Sequence, residues 1–247
     1  MMETGSKGMN YIAFSLWGDS PHYTEGAARN AEIAPTVYPG WRVVVYHDGT
    51  VPLPTLKALR DRDAMLVDMT GNDILGPFWR FLASDFPDCR YAVFRDTDSR
   101  LTAREYNAVS EWVQEGKKLH VIRDHPYHEI PFGTEQRGIL AGMWGIQGNV
   151  IPMEAEVRNY ITGKEFYYGI DQAFLQQVYL RFQHSLTLHD EFFGGKPFPD
   201  KRIGYQFIGE RIDEHEQPIG DDREALKAYL GQRKPSWRKR LKNLFRK

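Results

Sequence analysis

A single cysteine, Cys89, among 247 residues excludes a disulfide within the chain and favours a reducing compartment. Long apolar runs are missing too: nothing approaches the roughly 18 residues a bilayer-spanning helix needs. The opening "MMETGSKGMN" lacks the charged start and apolar core of a secretory leader. The expected location is therefore the cytoplasm. Neither G-x-x-x-x-G-K-[ST] nor G-x-G-x-x-G occurs, which argues against a P-loop nucleotidase and a standard dinucleotide site. Internal repeats and low-complexity stretches are absent as well.

Charge is unevenly spread along the chain. Residues 231–247 carry eight Lys or Arg and no acid, so the rest of the chain holds 24 bases against 33 acids. In "WRKRLKNLFRK" the residues Trp237, Leu241, Leu244 and Phe245 would share one stripe of a helix among bases. That composition suits an interfacial helix drawn to anionic lipid at the inner face of a membrane. A helix docked on the acidic body and a solvated tail are the alternatives; nucleic acid is not an expected partner.

What is present describes an ordinary globular protein: 41% hydrophobic and 26% charged residues, with 13% aromatics that core packing explains most simply. The length suits one large α/β domain with a C-terminal extension, divided here as 9–212 and 213–247. Apolar strand-like runs at 11–17, 41–47, 64–69, 91–95 and 119–123 alternate with helical patterns at 24–35, 53–62, 77–84 and 102–115, which predicts a mainly parallel sheet covered by helices. The pattern at 102–115 is the clearest, opening on a T-x-x-E capping box of Thr102 and Glu105. Further on, "ILAGMWGIQG" is apolar but interrupted by glycines and reads as a strand lining a cleft. Helices at 152–162 and 170–183 and a short strand ending in His189 and Asp190 follow.

Ligands of open α/β sheets gather at the carboxyl ends of strands. The residues there are Gly18, Asp19 and Ser20, then His47 and Asp48, Asp96 and Asp98, and Arg123, Asp124 and His125. In "YAVFRDTDSR" two carboxylates stand one residue apart after an apolar run. Such a pair resists ionising together unless a cation is near, and it can offer oxygen ligands to Mg²⁺ or Mn²⁺. A solvated turn neutralised by Arg95 and Arg100 is the alternative.

The order of "YIAFSLWG", "YTEGAARN", "YPGWRVVVYHDG", "FWRFLASD", "YAVFRDTDSRLTAREYNAVSEW", "GIDQAFL" and "LHDEFF" resembles nucleotide-sugar glycosyltransferases of the GT-A type. The resemblance spans residues 11–209, with only the D-x-D and its flanks specific. It implies a Rossmann-like, nucleotide-diphospho-sugar transferase fold and transfer of a sugar from a nucleoside-diphosphate donor to a glycan or lipid-linked hydroxyl. It makes Asp98 a ligand of Mn²⁺ or Mg²⁺, with Asp96 on the donor ribose or a metal-bound water and His189 completing the shell. His184 is a weaker rival for that place. It gives Asp171 and Gln172 of the D-Q pair roles beside the acceptor, against a plain helix cap for Asp171. Asp171 as a base favours inversion of configuration, whereas the D-Q leans toward retention. Trp144 becomes a sugar platform or a core residue. Tyr23, Arg29, Asn30 and Asp48 fall near the nucleoside, and Arg80 and Arg95 face the pyrophosphate or neutralise the aspartates.

Two other readings compete. Haloacid-dehalogenase-type phosphatases also use Asp-x-Asp after an apolar strand, here Asp96 and Asp98, but normally begin with it and carry Thr or Val where Arg100 stands. A non-catalytic sugar-nucleotide-binding module is the third. The H-x-x-H of "HPYH" is a weak metal signal.

Overall fold

The computed structural model describes residues 8–232, so the basic tail from 233 onward and the membrane role expected of it lie outside the described residues. Seven strands form one sheet in the order β3-β2-β1-β4-β6-β5-β7. They are β1 Met9–Leu16, β2 Trp41–His47, β3 Met65–Asp68, β4 Cys89–Phe94, β5 Leu119–Arg123, β6 Trp144–Gln147 and β7 Leu186–Asp190. All neighbouring pairs are parallel except those that β6 makes with β4 and β5. The mainly parallel α/β sheet expected from the sequence is present, with one reversed strand at its middle.

Parallel strands covered on both faces read as continuous apolar runs, because both sets of alternating side chains are buried. In β1, Tyr11 and Ala13 enter one core while Ile12, Phe14 and Leu16 enter the other. The second core is closed by α1 (Pro21–Val37), α2 (Leu53–Arg60) and α4 (Ala103–Glu115). The first is closed by α3 (Gly76–Trp79) with the 3-10 turn Arg80–Asp85, and by α5 (Met153–Ile161) and α6 (Ile170–Phe182). The glycine in β6 has a packing cause: a Cβ on Gly145 would sit 3.0 Å from the Trp112 ring of α4.

Half of the expected capping box forms. Thr102 Oγ1 accepts from the Glu105 backbone N–H at 3.2 Å, but the Glu105 carboxylate, 1% exposed, turns inward to Arg95 Nε at 2.6 Å and to the Tyr38 hydroxyl at 2.5 Å. Two strong buried donors outcompete the reach back to the helix start.

Beyond β7 the chain folds back over the body, and the last described element is α7, Asp222–Gln232. Phe198 and Ile208 pack with Ala108, Ile122 and Met143, and Phe192, Phe207 and Leu226 form a satellite core. Among the described residues no helix is long and apolar enough to cross a membrane.

Candidate active site

Strand parity sorts the residues of "FRDTD". Arg95 N–H donates to the Ala13 carbonyl at 3.1 Å, so the ladder continues one residue past β4. Its side chain therefore points to the face of Tyr91 and Val93, and Asp96 to the face of Ala92 and Phe94. Arg95, 1% exposed, is consumed by Glu105 and by the Phe94 and Trp144 carbonyls at 2.7 and 2.8 Å. It does not face a pyrophosphate, contrary to expectation. Arg100 is committed elsewhere as well, to Glu216 at 2.8 Å and the Asp213 carbonyl at 3.1 Å. Neither flanking guanidinium neutralises the acidic pair.

Asp96 instead meets Arg80, whose Nη1 donates to Asp96 Oδ1 and, at 2.8 Å, to the Arg95 carbonyl. Arg80 is 6% exposed, its own N–H donates to Ser15 Oγ at 3.0 Å, and its Nη2 lies 3.8 Å from Asp171 Oδ2. The buried cation links two acids rather than projecting toward solvent. Asp171 stands in the first turn of α6, where the Gln172 N–H donates to its Oδ1 at 2.9 Å. Burial raises its pKa; Arg80 works against the rise and Asp96 adds to it. On the other side of Asp96, Gly142 approaches so closely that a Cβ there would collide with Asp96 Oδ2.

Asp98 has no guanidinium at all. It faces the His22 imidazole, Nε2 at 3.5 Å, and burial followed by repulsion from Asp96 raises its pKa. Tyr23, the next residue of α1, feels the same field: burial, then Asp98, Asp96 and Tyr168, push its phenol up.

The backbone of the acidic turn is held by α1. Asn30 Nδ2 donates to the Ser99 carbonyl at 2.7 Å and its Oδ1 accepts from the Leu101 N–H at 3.1 Å. One helical turn earlier, Gly26 lies against the Thr97 carbonyl, where any Cβ would clash. From the far end of the chain, the Ile212 N–H donates to the Asp98 carbonyl at 2.7 Å.

Tyr23, Arg80, Asp96, Asp98 and Asp171 thus converge, and other expected site residues do not. Arg29 lies on the solvent side of α1, paired with Glu32 at 2.9 Å. Trp144 is fully buried between Phe81 and Phe94, with ring centroids 5.1 and 4.3 Å away, and is a core residue. His189, also fully buried, has Nδ1 on His120 at 2.9 Å and Nε2 on Glu111 at 3.0 Å, so neither nitrogen is available to a metal. Glu111 lies two turns down α4, about 12 Å along the helix from its start beside the acidic turn. Burial lowers the His189 pKa, in keeping with a neutral core imidazole. Asp48 stays at the exit of β2, where its Oδ1 accepts from the Thr50 N–H at 3.0 Å while Thr50 Oγ1 accepts from the Gly18 N–H at 2.6 Å. Gln172 follows Asp171, with its Oε1 buried and unpartnered. The H-x-x-H imidazoles are structural: His125 Nδ1 accepts from the Tyr127 N–H and His128 Nδ1 from the Asp124 N–H, each at 3.1 Å.

Sequence reasoning missed His22, Gly26 and Gly142. The spacing of Gly26 and Asn30 on one face of α1 was a usable signal, and the glycine-interrupted run 139–148 pointed to a strand lining a cleft without singling out Gly142 or its partner.

Among the described residues no three His, Cys, Asp or Glu side chains form a ready metal cage. The acids nevertheless suit a hard divalent ion: Asp96 and Asp98 supply oxygen donors two residues apart, and the raised pKa of Asp98 marks a carboxylate short of positive charge.

No protein-family model matches the sequence, and neither does any curated protein. Solved structures with a related backbone course include the galactosyltransferase LgtC in complex with donor and acceptor sugar analogs, at TM-score 0.46 and 15% identity over 73% of each chain. Another is glucosyl-3-phosphoglycerate synthase from Mycobacterium tuberculosis in complex with Mn²⁺ and UDP-glucose, at 0.45 and 14% over 79% of this chain and 73% of that one. A third is 4-diphosphocytidyl-2C-methyl-D-erythritol synthase from Anaerococcus prevotii, at 0.49 and 10% over 91% and 96%. At these values the likeness assigns no chemistry to the chain.

Proposed function

We propose that the chain is a metal-dependent glycosyltransferase of the GT-A type, moving a sugar from a nucleoside-diphosphate donor to an acceptor hydroxyl. One observation carries the reading: three carboxylates, Asp96, Asp98 and Asp171, converge at the exit of β4, where Arg80 pairs with Asp96 and Asp171 but not with Asp98. That surplus of negative charge is what a divalent cation bridging protein and diphosphate would neutralise.

Asp98, with Asp96 beside it, would hold Mn²⁺ or Mg²⁺, whose contribution is to stabilise the charge growing on the departing nucleoside diphosphate. Arg80 fixes the Asp96 carboxylate and keeps Asp171 within the same field. Asp171, made more basic by burial, would orient the acceptor hydroxyl and take its proton. Asp48 and the half-exposed Trp17, at the exits of β2 and β1, lie where the nucleoside end of the donor would extend. The phosphatase alternative needs Asp96 as a free nucleophile, and here one oxygen is taken by Arg80 while the other abuts Gly142.

Thermal shift with UDP and the other nucleoside diphosphates, with and without Mn²⁺, tests the proposal. Mn²⁺-dependent stabilisation by one of them is expected, and Asp98→Asn should remove most of it. A wild-type protein indifferent to every nucleoside diphosphate in the presence of Mn²⁺ would refute it.

A further inference from the structure

Large apolar side chains are costly to leave in water, so a cluster of them beside a candidate site calls for a cause. Phe132 and Tyr168 are 61% and 73% exposed, yet their rings meet edge to face with centroids 4.7 Å apart. The pair is built into the fold. Gly169, with φ +91°, lies under it, and a Cβ there would stand 2.8 Å from the Phe132 carbonyl and 3.0 Å from its ring. Of the three consecutive aromatic residues Phe166, Tyr167 and Tyr168, the last is the most exposed. Tyr168 precedes Asp171 by three residues, and on the α1 side Tyr23 lies against the ring of His22, with centroids 4.6 Å apart, which in turn meets Asp98 at 3.5 Å. The rings therefore border the acid cluster along the side running from α6 to α1.

Resting on the transferase reading, we infer that Phe132 and Tyr168, with Tyr23 at the rim, form the acceptor subsite and that the acceptor is a carbohydrate whose pyranose ring stacks on them. A pyranose has a face of C–H bonds that suits an aromatic ring and a rim of hydroxyls that donate to carboxylates. The site offers both within a few residues: exposed rings, then the acceptor oxygens of Asp171 and Asp96. A lipid surface fits less well, because the flanking segments hold Glu129, Glu135 and Glu165 against Arg137 and Lys164, with Glu129 paired to Arg137, and so offer anionic headgroups no net attraction. In this arrangement the stacked ring presents a hydroxyl toward Asp171.

Saturation-transfer NMR on the full chain with lactose, cellobiose and maltotriose tests the subsite. Transfer to the C–H protons of at least one saccharide is expected, with affinity about tenfold weaker or worse in Phe132→Ala/Tyr168→Ala and unchanged in Tyr127→Ala, an exposed aromatic outside the pair. The double variant should keep the wild-type response to UDP and Mn²⁺, since neither ring touches the acids. No saccharide response in the wild type, an equal response in the double variant, or phosphatidylglycerol vesicles bound by the wild type and not by the double variant would each overturn the inference. A wild type that binds saccharide but ignores every nucleoside diphosphate would sink the transferase reading and leave the stacking platform standing.

Discussion

Asp98 illustrates at the scale of one residue how a site stores instability. Its folded pKa lies above the ordinary value, so folding favours its protonated form, and the resulting penalty is absent at low pH and grows as pH rises through the folded pKa. Removing the charge should therefore help the metal-free protein. Asp98→Asn is expected to gain about 0.5–2 kcal/mol at pH 7.5, a Tm increase of roughly 2–4 °C per kcal/mol. The difference from wild type should shrink toward zero below the carboxylate range. Paired thermal melts between pH 3.5 and 8 check this, and a gain that does not change with pH would refute the charge argument. Arg95 shows the contrary case: followed by two acids in the sequence, it is spent on fold, buried against Glu105 and two carbonyls.

At the scale of elements, α1 acts as a mould for the acidic turn. Alanine is normally better than glycine in a helix by about 1 kcal/mol, yet Gly26→Ala should do harm, because its methyl would meet the Thr97 carbonyl. Overpacking of this kind costs about 1–3 kcal/mol. The stabilisation by UDP and Mn²⁺ should fall with it, since the turn carrying Asp96 and Asp98 must move. A variant as stable and as responsive as wild type would refute the role of the close approach.

The elements themselves were largely legible. Runs such as "YIAFSLW" and "WRVVVYH" announced buried strands because two apolar faces leave no polar positions. What the sequence withheld was direction and parity. A four-residue strand such as β6 carries no mark of its orientation, so the glycines of 139–148 announced a cleft-lining strand but not that Gly142 would meet Asp96. The misplacement of Arg95 was avoidable, since alternation along β4 already put it with Tyr91 and Val93. His189 was assigned from chain order alone, whereas its parity with Thr187 turns it toward α4, where Thr187 meets Glu115 and His189 meets Glu111.

Across the whole molecule, Asp124 joins the late chain to the sheet. Fully buried at the exit of β5, it accepts from Arg104 at 2.9 Å, Arg202 at 2.6 Å and the Ile208 N–H at 2.9 Å. Buried ion networks add little net stability when complete, but losing one member costs about 3–5 kcal/mol because the remaining charges stay buried. Asp124→Ala should therefore lower Tm by on the order of 10 °C. Arg137→Ala, which breaks an exposed pair with Glu129, should change it by about 2 °C or less. Equal effects in calorimetry would show that the network is not the clasp described.

The hydrogen bond from Ile212 to the Asp98 carbonyl has a bearing on biosynthesis. During translation the acids emerge from the ribosome long before the strand of chain that fixes them. A nascent polypeptide can complete its sheet while the turn between Thr97 and Arg100 still lacks its last anchor. Full restraint of that turn thus waits until residue 212 has been made and the chain beyond β7 has folded back.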